Sequence, residues 1–460
     1  MSDTGVEVGS PISGVIPARE DVKRAADRRR VLRLRLRAPG RKRSLLLLWL
    51  LVGPGILVML GENDAPSMLS YAADGAGYGI GFFLPFVVLT FAMAYVVQEM
   101  TVRLGVATHR GHAELIFDRF GPFWGWFAMG DLVLGNLLTL VTEFIGVRVG
   151  LGYFGVPPVL AVLTAFLVVL GATLTRRYWT WERIALSLAF FNLIFIPVAI
   201  LTHPNGGDVL KAFATWGPLP GGVSQQFLLL VIATIGATVT PWMLFFQQSA
   251  VVDKGLTAKD IRHGRIDTAL GALFAATAAC ATIIATAPLF THGVNVAASS
   301  LGTADFATPL VHFVGRAGAA LFAIGLCEAG LLAAMTISSS SAYAFAEVTH
   351  QRHHSLNASL RDGWPFYTVL LLAAGIAAAL VLIPNAPLLF IVLIVNVIAV
   401  LAMPPALIFL YLLCNDREIM GRYVSGRLGN TVAIAIVVFL VLASLSYGVT
   451  AIFPSLLPHT

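Results

Sequence analysis

Apolar residues run along this chain in stretches of twenty or more, separated by short polar segments. A helix needs roughly 20 such residues to cross a bilayer. The pattern predicts eleven helical spans, at about 44–78, 79–103, 121–149, 154–174, 182–202, 224–252, 266–290, 306–347, 364–384, 387–413 and 430–453. The sixth and eighth runs are long enough to project beyond a membrane or to be interrupted. The fold class expected is an all-α polytopic membrane protein.

Composition agrees with the pattern. Of 460 residues, 57% are hydrophobic and 12% charged, with mean hydropathy +0.83. A soluble domain carries about 25% charged residues, so this chain cannot cover a globular surface and must sit in lipid. Cys280, Cys327 and Cys414 fall inside apolar runs and offer neither metal spacing nor a disulfide framework.

The net charge of +6 is unevenly placed. Residues 1–43 hold 12 of the 30 basic residues and 5 of the 24 acidic ones, leaving 18 and 19 for the rest. The basic excess is therefore a tail, expected to be disordered and cytoplasmic, and nucleic acid is not an expected partner. The segment is too long, polar and Arg-rich for a signal peptide. With the N-terminus inside, five connections hold 15 of the 18 remaining basic residues, while Lys211, Arg148 and Arg316 fall on or near the outer side. That asymmetry fits eleven spans with an outer C-terminus in a plasma (inner) membrane.

Two spans contain helix-breaking sequence at membrane depth. The first holds Gly61-Glu-Asn-Asp-Ala-Pro-Ser67, and the sixth holds Gly236-Ala-Thr-Val-Thr-Pro241. Proline removes an amide donor and clashes with the preceding turn. Unwound backbone survives at that depth only where protein buries it or where it lines a cavity. The breaks occupy the same place in two successive five-helix units, 44–202 and 224–413, with an eleventh helix at 430–453. An odd number of helices inverts the second unit, and paired broken helices in inverted repeats point to a transporter's binding site. Asp64 carries the chemistry: a carboxylate at the bilayer centre costs about 2.5–3.5 kcal/mol, and no Lys or Arg lies near the centre of any predicted span. A bound cation is its natural partner. Glu62 and Asn63 beside it are expected to support the ligands or to face the vestibule.

At these residues the chain resembles the NRAMP family of divalent-metal transporters. The resemblance runs from about residue 45 to 450. It rests on Gly53-Pro-Gly-Ile-Leu-Val, Gln98-Glu-Met-Thr-Val-Arg-Leu-Gly-Val, Ala113-Glu-Leu-Ile, Thr142-Glu-Phe-Ile-Gly, Gly236-Ala-Thr-Val-Thr-Pro, Leu331-Leu-Ala-Ala and Asn415-Asp-Arg-Glu-Ile-Met-Gly. Each is weak alone; their order and spacing are specific. The resemblance implies the LeuT-type fold, with 5+5 inverted repeats and one extra helix.

The site departs from the family pattern. Where the family has Asp-Pro-Gly-Asn, this chain has Asp64-Ala-Pro-Ser67; where it has Ala-x-x-Met-Pro-His, this chain has Ala237-Thr-Val-Thr240-Pro-Trp242. The resemblance implies a metal site of Asp64, Ser67, the Ala237 carbonyl, Thr240 and Asn396, with Asn63 as a further candidate. Glu143 matches an acid on the family's proton route, and Glu62, Trp242 and Glu328 are expected in supporting or gating roles. Replacing the Met thioether by Thr240 leaves oxygen donors, which suit hard cations. Trp242 cannot take up a proton where the family His can, so tight proton coupling there is lost. The pattern is closest to the NRAMP-related magnesium-transporter branch, and Thr at the Met position also resembles aluminium-transporting plant relatives.

The function expected is import of a divalent cation, magnesium or manganese, without tight proton coupling. The rivals are a proton-coupled manganese/iron symporter using Glu143 and a LeuT-type carrier of a small organic solute, against which Asp64 would repel a carboxylate. A transport-dead sensor is disfavoured because no large soluble domain follows the last apolar run. No hydrolase, kinase or ATP-binding motif appears, so no enzyme is expected. The expected partners are lipid and the metal cargo, with no resident cofactor, and the expected unit is a monomer. Several polar residues have plainer readings. Glu143 has Arg148 as a candidate partner, Asp131 faces a water vestibule, and Ser338 to Ser341 pack between helices. Gln247 and Gln248 line the inner path or pack, and His109, His112, His263, His353 and His354 are solvated.

Overall fold

A computed structural model describes residues 53–220, 222–294, 304–351 and 355–452. The basic tail at 1–43, the start of the first span at 44–52, and His353 and His354 lie outside the described residues. Eight helices or helix pairs are long and apolar enough to cross a membrane. Two shorter apolar helices, Pro158–Thr173 and Arg427–Ala443, and a broken pair at the first span bring the crossings among the described residues to the expected eleven.

The first span is two helices, α1 (Pro54–Gly61) and α2 (Ala65–Tyr78). Proline opens α1, where its fixed φ suits a first turn and its missing N–H is not needed. α3 (Phe83–Thr108) is followed by a short amphipathic helix, α4 (His112–Phe120), and by α5 (Pro122–Gly152). α6 (Pro158–Thr173), α7 (Tyr178–Phe191) and α8 (Phe195–Leu201) complete the first half. A connecting helix, α9 (Gly206–Thr215), leads to the second broken span, α10 (Gln225–Gly236) and α11 (Pro241–Lys254). Then come α12 (Ile261–Thr291), α13 (Ala307–Val348), α14 (Trp364–Val381), α15 (Leu388–Asn415), the single turn α16 (Arg417–Met420) and α17 (Arg427–Ile452).

The eighth apolar run is interrupted at Gly315, whose φ of 68° only glycine adopts without strain. The four serines lie on the buried length of α13. Ser338, Ser339 and Ser341 donate back to carbonyls of their own helix, and Ser340 reaches the Trp242 carbonyl of α11 at 3.2 Å. Of these bonds only that of Ser340 ties α13 to another helix, and the other three stay within α13. Asn136 of α5 adds a bond to Ser341 at 3.0 Å.

Two expectations about charge are corrected. Arg148 does not pair with Glu143: it donates to the Val381 carbonyl at 2.8 Å, because a five-residue spacing places the two side chains on different faces of α5. His112 is not solvated. It is fully buried on α4, with Nδ1 at 2.9 Å from Gln248 Oε1 and its ring edge-on to Phe245.

Burial pushes the His112 imidazole down to about 4. An unfolded histidine takes up its proton near pH 6.5. Stability contributed by the neutral ring is therefore complete above about 6.5 and is lost as pH falls towards 4. Lowering pH from 7 to 5 should cost roughly 2 kcal/mol through this residue. Thermal unfolding in detergent at the two pH values, with wild type and His112→Asn, measures it: the variant should lose that part of the pH dependence.

Candidate metal site at two broken helices

Both breaks are built from local capping chemistry. α1 ends at Gly61, and the chain unwinds through Glu62, Asn63 and Asp64. Asp64 is then the N-cap of α2, its Oδ1 accepting from the Ser67 amide at 2.9 Å, with Pro66 in the first turn. α10 ends at Gly236 with Ala237 as C-cap, and Thr240 is the N-cap of α11, with Pro241 as its first residue. Each break thus offers free carbonyls from one half-helix and free amides from the next.

The breaks face each other at the centre of the bundle. Asp64, Ser67, Ala237, Thr240 and Asn396 are all at most 3% exposed. Thr240 Oγ1 donates to Glu62 Oε1 at 2.7 Å, joining the two breaks directly. Tyr71 OH donates to the Ala237 carbonyl at 2.9 Å, leaving that oxygen a second lone pair. Asn396 of α15 donates to Ser70 Oγ at 2.9 Å and to the Pro66 carbonyl at 3.3 Å. α15 approaches so closely that a Cβ at Gly236 would collide with the Asn396 carbonyl.

Glu143 of α5 is drawn to the same point. Its Oε2 accepts from the Ala65 amide at 3.1 Å, which sets its carboxyl beside that of Asp64, and its Oε1 is buried without a hydrogen-bond partner. Glu62 Oε2 is likewise unpartnered. Three acids thus converge on one break. No cluster of three or more His, Cys, Asp or Glu shaped to hold a metal occurs among the described residues. Any cation here must be held by carboxylate together with neutral oxygens.

The other expected residues are placed as follows. Asn63 turns towards α12, donating to the Ala275 carbonyl at 2.8 Å, with its Oδ1 unpartnered. Trp242 is buried under the break, where a Cβ on Gly61 would touch its ring. Glu328 of α13 is buried with both oxygens unpartnered, and no hydrogen bond joins it to the break. Met243 Sδ accepts from the Thr240 amide at 3.4 Å, at the second break, and Met68 Sδ accepts from Thr282 at 3.3 Å. Sequence reasoning passed over Ser70, Tyr71 and Asn192. Asn192 holds the unwound backbone by donating to the Asn63 carbonyl at 3.1 Å.

The α1 side of the break is closed by buried polar bonds. Asp267 of α12 accepts from the Gly53 amide at 3.2 Å and the Gly55 amide at 2.7 Å, an acid at a helix N-terminus. Lys254 pairs with Glu182 at 3.0 Å, both side chains almost wholly buried, directly where a Cβ on Gly53 would lie. Gln248 donates to the Arg110 carbonyl and Gln247 to Thr268, so both pack rather than stand free in a path. Ser249 and the Ala113 amide both donate to Glu347.

This arrangement defines an all-helical, multi-pass membrane protein of LeuT-type fold, with eleven crossings and a polar break at its centre. The family model described as natural resistance-associated macrophage protein-like, Nramp, matches residues 55–450, and the chain belongs to that family. It is 31% identical over 297 residues to the divalent metal cation transporter MntH of Brucella suis biovar 1, covering 62% of this chain and 64% of that protein. It is 25% identical over 399 residues to the MntH of Pectobacterium carotovorum subsp. carotovorum, covering 85% of this chain and 92% of that protein. Among solved structures, a manganese transporter of Eremococcus coleocola superposes with TM-score 0.69 at 21% identity, over 89% of this chain and 88% of that one. A sodium-coupled sialic acid symporter superposes with TM-score 0.53 at 13% identity, over 94% and 98%. These two likenesses concern the fold.

Proposed function

We propose that this chain carries a divalent cation, manganese or magnesium, across a membrane by alternating access at the two breaks. The observation that carries the reading is Asp64: a buried carboxylate at unwound backbone, bonded to the Ser67 amide and beside the Glu143 carboxyl, with no basic side chain bonded to it among the described residues. Family membership and relatives named as divalent metal cation transporters support it. Ser67, Thr240, Asn396 and the Ala237 carbonyl complete the shell in this reading, with water filling the remaining positions of a hard cation. Residues 44–202 and 224–413 are the two repeats, whose half-helices α1, α2, α10 and α11 move to open one side at a time. The N-terminus lies in the cytoplasm and the C-terminus outside, so the α1 side is the inner side. No resident cofactor is needed, and the monomer is the transporting unit.

The donor set is oxygen, and Trp242 offers no proton acceptor, so uptake proceeds without tight proton coupling. Reconstituted protein with a pH dye inside the vesicles tests this: manganese uptake should occur with little acidification, and strong metal-driven proton influx would contradict it. Selectivity is read from Thr240→Met. The added thioether should raise cadmium over magnesium uptake by about tenfold, since soft ligands prefer soft ions.

A second reading rests on Glu143, whose carboxyl lies beside that of Asp64 and whose Oε1 has no hydrogen-bond partner. A proton taken there would make the chain a proton-coupled manganese/iron symporter. In that case acid stimulates uptake, and Glu143→Gln removes the stimulation.

A further inference from the structure

α2 carries a polar stripe of which the proposed metal shell uses only Ser67. Ser67, Ser70, Tyr71, Asp74 and Tyr78 recur at three-, four- and seven-residue spacings, which place them on one face of the helix. The stripe faces the second repeat. Ser70 meets Asn396, Tyr71 meets the Ala237 carbonyl, and Tyr78 OH lies 3.0 Å from Ser224 Oγ at the start of α10. Between them, Asp74 Oδ2 accepts from Thr234 Oγ1 of α10 at 2.6 Å.

Asp74 is the anomaly in this stripe. It is 0% exposed, and its Oδ1 is buried with no hydrogen-bond partner. No ion pair among the described residues reaches it, and Thr234 supplies a single hydroxyl hydrogen. A buried carboxylate left half-satisfied in a membrane span is expensive and marks an ion path or a relay rather than packing. A helix tie alone would be served by a neutral amide or hydroxyl at this position. Asp74 lies ten residues beyond Asp64 on the same helix, about 15 Å along its axis.

We infer that Asp74 and Thr234 form a second cation station on the outer side of the break, taking a hard, partly hydrated divalent ion before it reaches Asp64. The inference rests on the transport reading above. Carboxylate and hydroxyl oxygens suit such an ion, and water completes its shell. The station lies between α2 and α10, the outer half-helices of the two breaks. It opens when those helices part and closes when the Asp74–Thr234 bond re-forms. Two stations in series let an ion bind well enough to enter and weakly enough to move on.

The test is manganese binding to purified protein, followed by the loss of the free-ion electron paramagnetic resonance signal, together with manganese uptake in vesicles. Wild type should bind two manganese ions, Asp64→Ala one, Asp74→Asn one, and Asp64→Ala/Asp74→Asn none. Asp74→Asn keeps an acceptor for Thr234. Its KM for manganese should rise by about tenfold with kcat changed less than about twofold, the pattern of a lost binding contact. If Asp74→Asn does not fold, Thr234→Val should weaken the second manganese ion while leaving the first.

The inference is overturned if the double variant binds as much manganese as Asp64→Ala alone. It is equally overturned if Asp74→Asn alters only the pH profile of uptake with manganese stoichiometry unchanged, which assigns Asp74 to protons. Failure of the transport reading is distinct: Asp64→Ala would then take up manganese like wild type, whatever the count at Asp74.

Discussion

Asp64→Ala should reduce manganese uptake into proteoliposomes to the level of empty vesicles, a loss of about 100-fold or more. Removing a group that merely orients a ligand typically costs 10–100-fold in metal affinity, and Asp64 is the proposed anionic ligand itself. Alanine also removes the N-cap that accepts from the Ser67 amide, a loss of about 1 kcal/mol. Asp64→Asn separates the two effects, because asparagine caps a helix as well as aspartate does but carries no charge. Uptake lost in both variants assigns the effect to charge. Uptake restored in Asp64→Asn assigns it to the cap.

Lys254→Ala should destabilise the fold by about 3–5 kcal/mol, the cost of stranding one partner of a buried ion pair. Glu182 would be left with a hydrogen bond from Tyr178 at 3.1 Å and no described ion-pair partner at the site. The pair ties α11 to α7 beside the start of α1, so its loss also loosens the closure of that side. Thermal unfolding in detergent measures the first effect. Lys254→Ala/Glu182→Gln should recover part of the loss, because Glu182 is then neutral while Asp267, which also feels the Lys254 charge, still has the Gly53 and Gly55 amides. An unchanged melting temperature in the single variant would show that the pair contributes little.

Both results concern residues of very different visibility in the sequence. The breaks were legible because proline and acid inside an apolar run have few physical explanations: a helix cannot continue through them, and lipid does not tolerate them. The span count was legible for the same reason, since bilayer thickness sets helix length. The interruption of the eighth span at Gly315 was legible only as excess length, because glycine occurs freely in membrane helices.

What was not legible depends on contacts distant in the chain. Lys254 reads as one more basic residue of an inner connection, and only the fold brings it to Glu182, 72 residues away. His112 reads as a loop histidine because its neighbours are polar, yet α4 folds under the bundle and buries it. Asn192 is an unremarkable amide in an apolar run until the unwound Asn63 carbonyl needs a donor. Asp74 could have been found: it repeats the α2 spacing from Ser67 and Ser70. It lies within the first predicted span and was passed over beside the break at Asp64. Arg148 is a candidate partner of Glu143 by nearness in sequence, and helix geometry sends it to Val381.

The central claim is that an oxygen-donor site at the two breaks binds a hard divalent cation through Asp64. Calorimetric titration of magnesium, manganese and cadmium into purified wild type and Asp64→Asn tests it most directly. The account predicts binding of manganese and magnesium that is much weakened in Asp64→Asn, with cadmium bound no more tightly than manganese. Cadmium bound at least about tenfold more tightly than manganese, a margin that oxygen donors do not supply, or tight binding retained in Asp64→Asn, would contradict it.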